Sequence, residues 1–138
     1  MVNKSAVLLL SVVFLLTGCS GKLDFAKLKG SYSGTFSYFH SEDSKAVKNA
    51  PVAVNFTQNA YESSSGINYF PAGGTGVFAV LDGQKIKFED QKIWRTTNFD
   101  WELVLNGEYR YDRKGDSLIL TKGSSTTNLY QYRLKRVN

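Results

Sequence analysis

From Gly30 onward, apolar and polar residues alternate in short runs that are separated by turn residues. An alternation of period two is typical of β-strands that bury one face. Two longer connections, 61–74 and 91–98, interrupt the pattern, and a short helical turn is predicted over 24–28. The eight predicted strands lie near residues 31–38, 51–57, 77–81, 85–89, 99–106, 108–112, 118–120 and 130–135.

Most of these runs follow one another through tight turns, of which Asp82-Gly83 and Asn106-Gly107 are the clearest. Sequential hairpins make antiparallel neighbours, because a parallel crossover needs a dozen or more residues. A sheet of eight such strands can hide its edges by closing on itself. The sequence therefore predicts an all-β fold, a small antiparallel up-and-down eight-stranded barrel, with a β-sandwich as the alternative.

The first residues have a different pattern, which is that of an export signal. Lys4 supplies a positive charge, and residues 6–16 form an apolar stretch that is too short to span a bilayer as a helix. The following Leu16-Thr17-Gly18-Cys19 resembles the lipobox of bacterial lipoproteins. That resemblance implies cleavage before Cys19 and acylation of this cysteine, and Ser20 after it points to the outer membrane. An ordinary signal peptide with a chance cysteine is the alternative.

These patterns divide the chain into three parts: a lipoprotein signal peptide over 1–18, a lipidated tether with a helical turn over 19–28, and a barrel domain over 29–138. The expected location is the cell envelope, with the protein held by lipid at the outer membrane and its orientation left open. The formal net charge is +5. An exported chain does not normally meet nucleic acid, so dispersed surface charge or anionic envelope components are the expected explanations.

The chain offers little for catalysis or metal binding. Its single histidine, His40, and its single cysteine exclude a two-histidine metal site and a disulfide framework. Glu89-Asp90 are adjacent on a strand and therefore point to opposite faces, whereas Asp112 and Asp116 flank a turn. We therefore expect no enzyme, no metal site and no cofactor, and His40 is expected in a solvated loop.

Aromatic residues are the remaining feature that bears on function. They recur at period two along the predicted strands, so many of them must share the barrel interior. A buried tyrosine hydroxyl needs a hydrogen-bond partner, which favours a partly wet cavity that holds a small or amphiphilic ligand. Plain core packing with hydroxyls at the rim is the alternative. The predicted cavity residues are Tyr32, Phe36, Tyr38, Trp101, Tyr109 and Tyr132.

The start of the first strand, Leu28-Lys29-Gly30-Ser31-Tyr32, resembles the opening of lipocalin-like domains, in which Gly-x-Trp follows a short helix. Residues 101–109 and the Tyr-x-Leu-x-Arg ending at 132–136 are similar to small bacterial lipocalin-like lipoproteins. The chain departs from that family in carrying Tyr32 where the tryptophan is usual. The resemblance implies a barrel with one open end, ligand binding or envelope upkeep rather than catalysis, and Arg133 or Arg136 packed against Tyr32.

Two functions from different classes follow. The first is a non-enzymatic envelope lipoprotein that binds a small or amphiphilic ligand in its barrel. The second is a protein-interaction module, such as a hydrolase inhibitor or an assembly accessory, that acts through 61–74 and 91–98. The expected partners are the membrane, through lipidated Cys19, and either a small ligand or an envelope protein.

Overall fold

A computed structural model describes residues 25–40, 47–123 and 128–138. The predicted signal peptide, the lipidation site Cys19 and the tether up to Asp24 lie outside the described residues. In the described part of the chain, no helix has the length and apolarity needed to cross a membrane. The elements are the helix α1 (Phe25–Leu28), the strands β1 (Gly30–His40), β2 (Lys48–Thr57), β3 (Ala60–Ser63), β4 (Gly74–Leu81), β5 (Lys85–Asp90), β6 (Gly107–Lys114), β7 (Ser117–Gly123) and β8 (Asn128–Arg136), and the 3-10 helices Ile67–Tyr69 and Trp101–Leu103.

The eight strands form a closed barrel. Each strand pairs antiparallel with the next strand along the chain, and β8 returns to pair with β1 from Tyr32↔Arg136 to His40↔Asn128. Closure gives every strand a neighbour on both sides and so removes the long open edges of a sheet. The predicted up-and-down barrel is confirmed, and the β-sandwich alternative is excluded. The architecture is consistent with a calycin-like fold.

The two ends of the barrel differ. At the proximal end, as we call it, the strands are joined by short turns at 58–59, 82–84 and 115–116, and α1 packs there. Leu28 of α1 is fully buried, and the Phe25 ring contacts that of Phe78 edge to face at 5.4 Å. At the distal end lie the long connections 64–73 and 91–106, which we call the distal loops. The chain therefore enters the barrel at one end and carries its long loops at the other.

One of the eight predicted strands is wrong. Residues 99–106 form no strand; Trp101–Leu103 is a 3-10 helix, and Asp100 caps it by accepting a hydrogen bond from the Glu102 backbone N–H at 3.0 Å. The eighth strand is instead β3, which overlaps the start of the predicted 61–74 connection. Gly107 begins β6, which pairs with β5 rather than folding back on the residues before it. The predicted number of strands is correct because the strand wrongly predicted over 99–106 is offset by β3, which was not predicted.

Pro51 lies inside β2, where a proline normally disrupts a sheet. The ladder between β2 and β3 covers only Val54–Thr57, and beyond it the Ser64 N–H donates to the Ala53 carbonyl at 2.8 Å. Backbone groups two residues apart point to the same side of a strand, so the Pro51 nitrogen, like the Ala53 carbonyl, faces the side of β2 on which β3 lies. At Pro51, however, β3 has already ended, and no neighbouring strand is there to pair with it. Proline is tolerated there because no ladder hydrogen bond is lost.

The barrel interior is a packed core. Inward positions of every strand are buried, and edge-to-face ring contacts connect them, among them Tyr32–Phe56 at 5.6 Å and Phe56–Phe78 at 5.3 Å. Side chains of this size can fill a small eight-stranded barrel. The buried cluster consists of Leu28, Tyr32, Phe36, Val52, Val54, Phe56, Tyr61, Phe78, Ile86, Phe88, Leu105, Tyr109, Leu118, Leu120, Tyr130, Tyr132 and Leu134.

Candidate functional site

Four of the six predicted cavity residues lie together in the interior. Tyr32, Phe36, Tyr109 and Tyr132 are fully buried. The Phe36 and Tyr132 rings are 4.8 Å apart, and the Tyr109 and Tyr132 rings are 5.9 Å apart. These side chains fill the barrel with one another, so any ligand at this place would have to displace part of the core.

The other two predicted cavity residues lie elsewhere. Tyr38 is half-buried toward the distal end, where its ring is 5.1 Å from that of Tyr130. The prediction that Trp101 faces the interior is wrong, because its side chain is 48% exposed and belongs to a 3-10 helix rather than a strand. His40 was expected in a solvated loop, but it ends β1, half-buried, with its ring 6.3 Å from that of Tyr38.

The buried tyrosines differ in how their hydroxyls are satisfied. The Tyr61 hydroxyl donates to the Leu105 carbonyl. The hydroxyl of Tyr132 has no hydrogen-bond partner of normal geometry among the described residues. Burial raises the pKa of Tyr61, Tyr109 and Tyr132 well above the usual value, and the nearby Tyr109 hydroxyl offsets part of the effect on Tyr132. The Tyr132 hydroxyl, Ser63 Oγ and Arg136 Nε are therefore three buried side-chain groups of the described residues that lack a hydrogen-bond partner.

The arginine that packs against Tyr32 is Arg136. Its guanidinium lies over the Tyr32 ring, 5.4 Å from the centroid, and donates to the Tyr32 hydroxyl at 2.8 Å. It also donates to the Lys27 carbonyl and thereby ties α1 to β8. Arg133 instead donates to Gln131 Oε1, on the outer face of β8. The sequence did not decide between Arg133 and Arg136, and the structure shows that Arg136 contacts Tyr32, at the proximal end of the barrel.

The two distal loops are joined by their backbones. The Ala72 N–H donates to the Leu103 carbonyl at 3.0 Å, and the Leu105 N–H donates to the Gly73 carbonyl at 2.9 Å. Gly73 and Val104 form a parallel bridge between these two bonds. Gly73 has φ +87°, and a Cβ there would lie 2.7 Å from the Ser63 carbonyl oxygen, so only glycine allows this close approach. The loops thus form one surface at the distal end.

Four aromatic rings form a cluster on this surface. Tyr69 of the first loop stacks on Phe99 of the second, with centroids 5.0 Å apart and an interplanar angle of 20°. Phe99 also contacts Trp94 at 4.9 Å and Trp101 at 4.6 Å, and the two indoles are 5.7 Å apart. Tyr69 of the predicted connection 61–74 and Trp94 of the predicted connection 91–98 therefore both contact Phe99, which the sequence had placed on a strand.

Asp90, at the end of β5, holds this cluster in place. Its Oδ2 accepts a hydrogen bond from Trp94 Nε1 at 2.7 Å, and its Oδ1 accepts from the Thr75 N–H at 3.0 Å. The Asp90 N–H donates to Asn106 Oδ1 at 2.9 Å. The carboxylate therefore holds the start of the second distal loop in place, which is a structural role for Asp90.

Exposed large hydrophobic side chains concentrate at the distal end. Of seven such residues among the described positions, five lie there, whereas Phe25 and Val137 lie at the proximal end. Ile67 is 87% exposed, Ile93 is 89% exposed, and Tyr69 is 38% exposed. We call Ile67, Tyr69, Ile93 and Trp101 the distal patch. Tyr69 and Trp101 meet through Phe99, and Ile67 and Ile93 lie on the same two loops; exposed apolar side chains that share one surface are typical of interaction sites.

Lys122 lies beneath the second distal loop. Its Nζ is 5.2 Å from the Tyr109 ring centroid and 5.0 Å from that of Tyr130, which are cation–π distances. The same nitrogen pairs with Glu102 Oε2 at 3.4 Å. Lys122 thus lies between the rings of Tyr109 and Tyr130 and Glu102 of the second distal loop, so the protein itself occupies this part of the barrel mouth.

The described residues contain no group of three or more histidine, cysteine, aspartate or glutamate side chains that could hold a metal ion. Sequence reasoning did not single out Tyr69 or Trp94, because neither follows a strand periodicity, and it placed Phe99 at the start of a predicted strand over 99–106. The available signal was the presence of aromatic residues inside predicted loops, where large apolar side chains are uncommon.

Comparison of the chain with protein-family models, with curated proteins and with solved structures finds no match. The fold and the site therefore define only a class, that of closed antiparallel β-barrels with an aromatic surface at one end.

Proposed function

We propose that this chain is a non-enzymatic, lipid-anchored protein of the cell envelope that docks a partner protein on its distal patch. The observation that carries the proposal is the stacked, exposed aromatic cluster in which Tyr69 and Phe99 join the two distal loops. Tryptophan, tyrosine and arginine are the residues that most often dominate binding at protein interfaces. The packed interior favours an outer surface as the functional site.

The proposed anchor supports this assignment. Cys19, acylated as in the lipocalin-like lipoproteins that the chain resembles, precedes α1 by a tether that ends at Asp24. Six residues reach at most ~20 Å, and the nine-residue β8 is about 30 Å long. Because α1 lies at the proximal end, this geometry favours an orientation with the distal patch facing away from the membrane, which we propose to be the outer membrane.

Site-specific photocrosslinking tests the proposal. A photoreactive amino acid replaces Ile93 in the full chain, and the matched control carries it at the exposed Lys87 on the barrel wall. We expect a discrete protein adduct from position 93 that is lost in Trp101→Ala, and little or none from position 87. Equal adducts from both positions, or none from position 93, would contradict docking at the distal patch.

The unmet Tyr132 hydroxyl favours a second candidate, which is the binding of a small or amphiphilic ligand inside the barrel. A ligand with a hydrogen-bond acceptor could satisfy that hydroxyl once Leu105 and the second distal loop move aside. A chain that begins at Ser20 keeps α1, all eight strands and every residue of the described core, so we expect it to fold. Native mass spectrometry of this chain should then show an added mass that Tyr132→Phe reduces; a bare mass in both proteins speaks against the candidate.

A further inference from the structure

The carboxylates of the second distal loop, and that of Asp90 just before it, are engaged within the protein. Asp90 accepts hydrogen bonds from Trp94 and Thr75, Asp100 caps the 3-10 helix, and Glu102 pairs with Lys122 at 3.4 Å. Each negative charge of the loop thus has a donor inside the molecule.

The cations of the same loop are differently placed. Lys92 and Arg95 are exposed, and neither forms an ion pair with a described residue. Lys92 Nζ lies 4.3 Å from the Trp94 ring centroid, in contact with the aromatic cluster. Both cations flank Ile93 and Trp94 in the sequence, so positive charge borders the apolar side chains of the distal patch.

We infer that the partner presents an acidic surface around an apolar centre, into which Ile93 and Trp101 insert while Lys92 and Arg95 meet the acidic rim. This inference rests on the proposed function and names the chemistry of the partner. A polar, charged rim around an apolar core is the usual arrangement of a protein interface. Cleavage before Cys19 would remove Lys4 and lower the formal charge from +5 to +4, which still adds long-range attraction toward an acidic partner.

A protein fits this surface better than a polysaccharide or a bilayer. Ile67 and Ile93 project almost fully into solvent, and such aliphatic side chains need an apolar pocket, which a hydrated sugar chain does not provide. A bilayer could accept them, but in the proposed orientation the membrane that holds Cys19 is at the opposite end. Binding of the distal patch to a bilayer would therefore overturn the inference.

The test combines the Ile93 photocrosslink with charge reversal. In the full chain, Lys92→Glu with Arg95→Glu should lower the adduct yield about tenfold or more, because like charges across an interface repel. The matched control is Lys87→Glu with Lys114→Glu, which makes the same change in net charge on exposed wall positions and should leave the yield within about twofold. The crosslinked partner peptide should be rich in aspartate and glutamate.

The outcomes separate this inference from the proposed function. If the adduct forms but both double variants give the same yield, the partner is not acidic, although docking at the distal patch stands. If position 93 gives no adduct, both proposals fall. A third arm mixes the chain from Ser20 with phosphatidylglycerol vesicles and follows tryptophan emission. A blue shift that the Lys92→Glu, Arg95→Glu variant abolishes would assign the patch to a bilayer and overturn the inference.

Discussion

Arg136 makes three contacts with one planar group: the Tyr32 ring, the Tyr32 hydroxyl and the Lys27 carbonyl. A guanidinium can do this because it offers several N–H donors in one plane and stacks on aromatic faces. The result is a link between α1, β1 and β8 at the end where the barrel closes. Arg136 thus holds α1 at the proximal end together with the buried Leu28 and the contact between Phe25 and Phe78.

Replacing Arg136 should therefore destabilise the protein. Arg136→Ala leaves the Tyr32 hydroxyl and the Lys27 carbonyl without this donor, and we expect a loss of ~1.5–3 kcal/mol in the free energy of unfolding, measured by urea denaturation. Arg133→Ala is the matched control, since among the described residues Arg133 donates to Gln131 on the outer face, and its loss should cost about 0.5 kcal/mol or less. Equal losses in the two variants would contradict the assigned role.

Buried tyrosines make a prediction about alkaline pH. Burial raises the pKa of Tyr130 to about 12 and raises those of Tyr61, Tyr109 and Tyr132 further. Their folded-state pKa lies above the unfolded value of 10.0, so the folded state holds its protons more tightly. The stability that this gives is fully present below pH 10 and is lost as the pH rises further.

Above pH 10 the free energy of unfolding should fall by about 1.4 kcal/mol per pH unit for each tyrosine that only the unfolded chain ionises. Urea denaturation at a series of alkaline pH values measures this slope, and tyrosinate absorbance should rise together with unfolding. Ionisation of these tyrosines in a barrel that remains folded would show that the interior is wetter than the structure indicates.

At the scale of elements, sequence periodicity predicted strands with several inward positions and missed those without them. Tyr130, Tyr132 and Leu134 alternate clearly in β8, whereas β3 has only Tyr61 and Ser63 facing inward. Two positions do not make a recognisable pattern. Trp101, Leu103 and Leu105 alternate as a strand would, yet they belong to a loop that crosses the barrel mouth.

The candidate site was predictable only in part. The sequence pointed to both long connections, because each lacks the strand pattern. It could not place Tyr69 on Phe99, since that stack joins residues far apart in the chain and depends on closure of the sheet. The pairing of the two loops through Gly73 and Val104 likewise exists only in the folded molecule.

Asp90 should determine how the second distal loop is held against the barrel. Asp90→Ala removes the acceptors for Trp94 Nε1 and the Thr75 N–H, so the second distal loop should loosen while the barrel stays folded. Both of the chain's tryptophans lie in the cluster, so their emission should shift to longer wavelength. Asp112→Ala, an exposed change on β6, is the control. Unchanged emission in Asp90→Ala would show that the cluster does not depend on this carboxylate.

At the scale of the whole molecule, the two ends of the barrel and its interior have different roles. The proximal end is sealed by α1 and Arg136 and receives the chain from the proposed lipid anchor. The interior is filled by aromatic and aliphatic side chains. The distal end carries exposed hydrophobic side chains with cations beside them, so the central claim is that function lies on the distal patch rather than inside the barrel.

Hydroxyl-radical footprinting tests this claim most directly, by comparing the protein in its native envelope with the purified chain from Ser20. The radical reacts with exposed aromatic and aliphatic side chains, so it reports which surfaces another molecule covers. We expect Ile67, Tyr69, Ile93 and Trp101 to be protected in the envelope, while Ile119 on the barrel wall reacts equally in both samples. Equal reactivity of the distal patch in envelope and purified protein would contradict the account.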